Sequence, residues 1–392
     1  MIGKGISTCG GVLLLIACVG TAVAQDLTPM EMLGKSLFFD ENLSTPPGQS
    51  CAACHAPEVG FTGPTSDVNV HGAVYQGAVL NRFGNRKPPS AAYAGDSPVL
   101  YFDEDEEIWI GGMFWDGRAT GWTLGDPLAE QAQGPFLNQL EQNNPTAKRV
   151  CFKVAKSDYA SLYEEVFEEP VDFVHNVAQT YENIARAISA YEQSAEVNPF
   201  SSKYDYYLAG EVALTDQEAL GLMLFEAEDK GNCAACHPSQ LGPNGESPLF
   251  TDFSYDNLGV PKNPENPFYT VSPEWNPAGA DWVDMGFGGF LAGTEFADHA
   301  ADNYGKQKVP TLRNVDKRPS PEFTKAFTHN GFFKSLEDIT HFYNTRDVED
   351  WPPPEVAENV NTEELGDLGL TAEEEAAIVA FMKTLSDGYV LP

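Results

Sequence analysis

Two pentapeptides constrain this chain more than any other feature: Cys51-Ala52-Ala53-Cys54-His55 and Cys233-Ala234-Ala235-Cys236-His237. Each is a CxxCH, the spacing at which two thiols can add to the vinyl groups of one porphyrin while the next imidazole falls beneath the iron. Each copy therefore predicts a covalently held haem c, on Cys51, Cys54 and His55 and on Cys233, Cys236 and His237. The competing readings are a CxxC redox pair and two halves of a four-cysteine zinc site. A His directly after the second Cys in both copies, behind an export signal, decides for haem.

That signal consists of Lys4, an apolar run from Gly10 to Ala22, and Ala22-Val23-Ala24 before Gln25. It is too short to span a bilayer, and it predicts a periplasmic mature chain after residue 24. Leu15-Ile16-Ala17-Cys18 is a competing lipoprotein box that would leave an acylated Cys18. With a cut after Ala24, Cys9 and Cys18 depart, four cysteines serve the haems, and Cys151 remains. A lone thiol cannot staple a fold and reads as a buried apolar residue. The net charge of −35 argues against nucleic-acid and anionic-membrane partners and favours a partner with a basic face.

The same preamble precedes each pentapeptide. Thr28 to Phe38 and Thr215 to Phe225 both begin with Thr, place Glu three residues on, and share Leu-Gly-x-x-Leu-Phe. Thr with Glu at that spacing is a capping box, so the pair reads as an internal duplication. It predicts two cytochrome c-like haem domains, 25–200 and 201–392. The periodicity from Val171 to Gln193 predicts a long helix closing the first, with Asn198-Pro199 opening the linker. Residues 241–293 are rich in Pro, Gly and Asn but carry aromatic anchors, including Phe250, Phe253, Tyr255, Trp275, Trp282 and Phe287, and so predict ordered loops over a haem. Ser335 and Thr371 begin two further capped helices. With almost no strand pattern, the class is mainly α.

Together with these flanks, Phe114-Trp115-Asp116-Gly117-Arg118-Ala119, Glu130-Gln131-Ala132-Gln133-Gly134-Pro135, Val309 to Val315 and His329-Asn330-Gly331 resemble the bacterial di-haem cytochrome c peroxidase and MauG family. The resemblance implies that hydrogen peroxide meets the N-terminal haem while the C-terminal haem relays or stores electrons. It implies Glu141 as the acid/base, placed by its step from Gln131, with Gln131 and Pro135 lining the pocket, and Trp115 as a relay between haems. Read without the resemblance, Glu141 is one surface carboxylate among 58 acidic residues and Trp115 a core indole. One departure stands out: Gly121 to Asp126 lengthens the span from Trp115 to Gln131 beyond the family's usual spacing.

The same alignment puts Tyr343 at the sixth position of the second iron, as in MauG-type members, where the peroxidases carry Met. A hard oxygen donor favours oxidised iron over the reduced state that thioether favours. Tyr343 as an aromatic core residue is the bland reading. Met285 is the better of the Met rivals, with Met382 and Met113 assigned to packing. His71 has two readings, a switchable cap on the first iron and a loop histidine. A calcium ion is implied at Asn85 and the carbonyls of Thr324 and Ala326, against Asn85 as a turn residue.

The leading function is a MauG-like oxidoreductase: peroxide reacts at the first haem and oxidising equivalents pass by Trp115 and the second haem to a partner protein. The alternatives are a cytochrome c peroxidase fed by a small cytochrome or cupredoxin, and a non-enzymatic electron carrier, which would need no Glu141.

Overall fold

The structure is a computed structural model that describes residues 26–392; the expected export signal and the Cys18 alternative lie outside the described residues. It is mainly helical. In chain order the helices are α1 (Pro29–Phe39), α2 (Ser66–Val70), α3 (Pro127–Leu137), α4 (Ala147–Val154), α5 (Ala160–Phe167), α6 (Val177–Glu192), α7 (Lys203–Leu208), α8 (Asp216–Glu226), α9 (Gly286–Leu291), α10 (Leu336–Thr345) and α11 (Ala372–Lys383). Two short antiparallel pairs accompany them: β1 (Tyr101–Asp103) with β2 (Ile108–Ile110), and β3 (Tyr255–Asp256) with β4 (Gln307–Lys308). No described helix is long and apolar enough to cross a membrane.

The duplication in sequence is a duplication in packing. Thr28 and Thr215 cap α1 and α8, each in a full capping box with the Glu three residues on. Each helix then crosses a long partner at its shared glycine. A Cβ on Gly34 would overlap the carbonyl of Ala187 on α6, and a Cβ on Gly221 would overlap the carbonyl of Ala377 on α11. Only Gly lets the backbones approach so closely. One turn later the shared Phe packs edge-on against an aromatic of that partner, Phe38 on Tyr191 at 5.5 Å and Phe225 on Phe381 at 5.1 Å.

Two hydrophobic clusters grow around these crossings. One draws its buried residues from Leu33 to Val197, the other from Tyr204 to Leu385. Cys151 is wholly buried in the first, as an apolar residue would be. The periodic segment 171–193 is helical only from Val177. Asp172 accepts hydrogen bonds from the backbone N–H groups of Val174 and His175, which turns the chain there and leaves Val174 exposed. Local side-chain bonding of this kind competes with helix.

The stretch 241–293 is ordered by buried asparagines that stand in for missing backbone partners. Asn263 Nδ2 donates to the Asn330 carbonyl, Asn266 to that of Asn85 and Asn276 to that of Phe268, all within 3.0 Å. Phe250 and Phe287 are fully buried; Trp275 and Trp282 are half-buried.

Candidate active site

Both pentapeptides adopt the same turn. Cys51–Ala53 and Cys233–Ala235 are 3₁₀ segments, closed by His55 N–H to the Cys51 carbonyl and His237 N–H to that of Cys233. His55 Nδ1 lies 3.2 Å from the carbonyl oxygen of Phe61, and His237 Nδ1 lies 2.7 Å from that of Phe250. A carbonyl only accepts, so each Nδ1 carries the proton and each Nε2 keeps a free lone pair. Phe61 and Phe250 both hold φ in the left-handed region, at 57° and 54°. The strained backbone at these bulky residues is part of what aims the two carbonyls. Burial keeps both imidazoles neutral, lowering His55 to about 4 and His237 below its ordinary value.

The donor set fits haem c. Among the described residues none of the four thiols is in a disulfide, and burial pushes Cys54 and Cys233 up to about 12. Buried amide atoms without a partner occur at both cavities, the Gln49 and Gln142 oxygens at one and the whole Gln307 amide at the other. Such atoms suit a ligand with a polar rim, as a porphyrin with its propionates has.

The first cavity, of about 150 Å³, is lined by Cys51, Cys54 and His55 together with Gln131, Pro135 and Glu141. α3 supplies Leu128, Gln131, Ala132 and Pro135 from one face, at helical spacing. Asp126 fixes that helix: its carboxylate caps the N–H groups of Leu128 and Ala129 and accepts from Ser189 on α6. Glu130 organises the long turn before it, accepting from the N–H groups of Gly121, Thr123 and Leu124. Past α3 the chain folds back, and Asn138 Nδ2 donates to Glu141 Oε1 at 2.8 Å. Burial raises the Glu141 carboxyl above its usual range, while Arg118 and the Asn138 bond pull it down.

The second cavity, of about 270 Å³, is lined by Cys233, Cys236, His237, Tyr343, Ile339 and Met382. Burial raises the Tyr343 phenol, with the Cys233 and Cys236 thiols and Asp256 adding to it. Met285 does not line this cavity; it sits before α9, where its carbonyl accepts from Gly289 and Gly305. Of the methionine rivals, the structure thus brings in Met382 and Met113, both of which the sequence had assigned to packing.

Trp115 lines both cavities, as do Lys87 and Met113. A hairpin-like closure between Met113 and Ala119 carries the indole, with Phe114 at φ 67° and Gly117 at φ 70°. Trp115 Nε1 donates to the Lys87 carbonyl at 2.8 Å. Its neighbour Asp116 is held in a buried network with Arg86 and Asp284, Arg86 Nη1 to Asp116 at 2.6 Å and Nη2 to Asp284 at 2.6 Å. The second half repeats this loop: Phe327 and Phe333 close around Thr328 (φ 67°) and Gly331 (φ 65°). His329 stands where Trp115 stands, and the two rings are 6.4 Å apart.

One expected metal position comes out differently. His71 is not brought to the first cavity: its side chain is 60% exposed and its Nδ1 faces Glu265 at 3.4 Å. Lys334 donates to the carbonyls of Asn69 and His71, tying that segment down away from His55. For calcium, Asn85 lines the first cavity and Ala326 the second, while the Thr324 carbonyl accepts from Asn69. Among the described residues no group of three or more His, Cys, Asp or Glu stands together as a metal site.

Sequence reasoning missed Glu192. The last residue of α6, it is buried in the first cavity's wall, and burial with nearby Asp126 raises its carboxyl to about 8. The signal was present: it falls one turn after Ile188, on the helix's apolar face, where an acid is costly.

Residues 28–213 match the family model described as di-haem cytochrome c peroxidase. Along nearly its whole length the chain is similar to the methylamine utilization protein MauG of Paracoccus denitrificans, 34% identical, covering 95% of this chain and 93% of that protein. The chain belongs to the di-haem cytochrome c peroxidase and MauG family. It is also 27% identical to the cytochrome-c peroxidase IdrP2 of Denitromonas iodatirespirans, over 91% of this chain and 81% of that one. Among solved structures it resembles the diheme peroxidase BthA from Burkholderia thailandensis, with a TM-score of 0.75 and 31% identity over 93% of this chain and 88% of that one. Membership makes the chain an oxidoreductase of the di-haem peroxidase type and implies two haem c groups.

Proposed function

We propose that the chain is an exported, periplasmic MauG-like oxidoreductase built of two cytochrome c-like domains, 25–200 and 201–392, which uses hydrogen peroxide to oxidise a partner protein. The observation that carries this is the unequal furnishing of the two cavities. Glu141, Gln131 and Pro135 share the cavity of His55, and Tyr343 shares that of His237. Haem, when bound, supplies the redox-active iron at which peroxide takes up two electrons.

The residues handle the protons and the route. Asn138 occupies Glu141 Oε1, leaving Oε2 to take a proton from the near oxygen of peroxide and return it to the departing one. Gln131 and Pro135 shape the space beside it. Trp115, fixed by the Lys87 carbonyl and a buried ion network, is the relay between cavities. Tyr343 would supply an oxygen donor to a haem held in the second site. Calcium is part of the proposal: Asn85 with the carbonyls of Thr324 and Ala326 would hold it, and the Thr324 carbonyl, which accepts one side-chain N–H, retains a second lone pair for a hard cation.

The second reading is a cytochrome c peroxidase, and Met382 at the second cavity favours it. Adding peroxide to the fully oxidised holoprotein separates the two. A long-lived oxidised spectrum without prior reduction supports the first; reactivity that appears only after one haem is reduced supports the second.

A further inference from the structure

Trp122 lies in the lengthened turn Gly121 to Asp126, and its side chain is 42% exposed. Among the six tryptophans of the chain it is the most exposed; Trp275, Trp282 and Trp351 are half-buried. Its ring is the outer end of a continuous line of aromatic packing. Trp122 lies 5.5 Å from Phe296, Phe296 lies 5.0 Å from Trp109, Trp109 lies 5.6 Å from Phe287, and Phe287 stacks on Tyr255 at 4.1 Å with 16° between planes. The inner end abuts the relay: a Cβ on Gly117 would stand 3.0 Å from Phe287, and Lys308, the strand partner of Tyr255, donates its backbone N–H to the Trp115 carbonyl at 2.8 Å.

We propose that Trp122 is a surface oxidation site, joined to Trp115 through Trp109, at which a docked protein with a basic face gives up electrons one at a time. This rests on the peroxide-driven oxidation argued above and names its exit. Packing alone would explain an aromatic cluster; it does not explain the state of the indole N–H groups. Trp115 donates to the Lys87 carbonyl, Trp122 to the Leu100 carbonyl at 2.8 Å, and the buried Trp109 Nε1 has no partner among the described residues. A buried donor left unpaired costs about 1–3 kcal/mol. No carboxylate or imidazole accepts from any of the three, so an electron can leave each ring and be replaced with the proton staying in place. Tyr255 donates its hydroxyl to the Gly111 carbonyl, which cannot take a proton either. A phenol must lose its proton to be oxidised stably, so Tyr255, Phe287 and Phe296 are packed bridges rather than stations.

The surface around Trp122 selects the partner. Val99 and Tyr101, on either side of the Leu100 whose carbonyl accepts from Trp122, are exposed, as is Ile108 on the paired strand, and the turn between β1 and β2 is Glu104-Asp105-Glu106-Glu107, also exposed. No Lys or Arg occurs between Val99 and Gly117. An apolar patch with an acidic rim suits a basic docking face. The balance is simple: one peroxide with two electrons and two protons gives two waters. Each electron passes from the partner to Trp122 and inward, so two one-electron oxidations of the partner accompany each peroxide, with the protons drawn from solvent or from the oxidised groups.

The test treats di-haem holoprotein with peroxide in the absence of any donor and maps oxygen adducts by peptide mass spectrometry. Adducts on Trp122 are expected, reduced roughly tenfold in Trp109→Phe, while the first optical response of the haems to peroxide keeps its rate. Trp122→Phe, a surface change that leaves the core intact, should prolong the oxidised spectrum by a similar factor. An optical response without Trp122 adducts, or adducts equal in Trp109→Phe, overturns the exit site and leaves the peroxide reaction standing. No optical response overturns both.

Discussion

The two halves of this molecule share a frame and differ in what they put at the end of it. Thr-capped α1 and α8, the glycine crossings at Gly34 and Gly221, the 3₁₀ turns, the left-handed Phe61 and Phe250 and the loops of Trp115 and His329 recur almost residue for residue. Around the first pentapeptide the chain then places a buried acid on a turn after α3; around the second it places a phenol and a thioether on α10 and α11. The frame fixes a neutral imidazole with its Nε2 free. In the function proposed above, the furnishings decide whether that site meets an oxidant or is closed by the protein.

The largest expected effect strikes one half alone. Glu141→Gln should slow the reaction with peroxide by roughly a hundredfold or more, the range of a lost acid/base, whereas Tyr343→Phe should leave that first step unchanged; equal losses in stopped-flow absorbance would erase the distinction between the cavities. Next, Gly34→Ala and Gly221→Ala should destabilise their halves by similar amounts, about 1–3 kcal/mol each as overpacking against backbone, read as matched shifts in thermal unfolding of the holoprotein. If one is tolerated and its counterpart is not, the frame is not shared. Trp115→Phe, at the wall common to both cavities, should slow oxidation of a partner roughly tenfold with peroxide uptake intact.

The smallest effect is on pH. Glu141 must be deprotonated to accept the proton of peroxide, so the rate rises with pH through its upward-shifted pKa. Asn138 stabilises the carboxylate form; Asn138→Ala should raise that pKa further and move the acid limb of the rate profile to higher pH by about one unit. A shift toward lower pH would mean that Asn138 stabilises the neutral acid instead.

Much of the frame was legible because it depends on local chemistry. Capping boxes are set within a few residues, and both copies form as read; the CxxCH turns are equally local. What escaped depends on contacts distant in sequence. Val171 to Asn176 follow the helical period, yet Asp172 captures the backbone first. The β1–β2 hairpin has too little alternation to announce itself and is held by Trp109 packing on Phe287 and Phe296. His71 follows His55 at a plausible spacing, but the lysine that anchors its segment, Lys334, comes from the far half of the chain. Glu192 and Met382 sit on ordinary helical faces, and only the assembled cavities give those faces a second neighbour.

Tyr343 is where the central claim can be struck most directly. Low-temperature electron paramagnetic resonance of resting holoprotein, with and without Tyr343→Phe, reads the axial ligation of both irons at once. A change in one haem signal, with the other superimposable on wild type, is the predicted result. Two unchanged signals would contradict the account, because the phenol would then close neither centre.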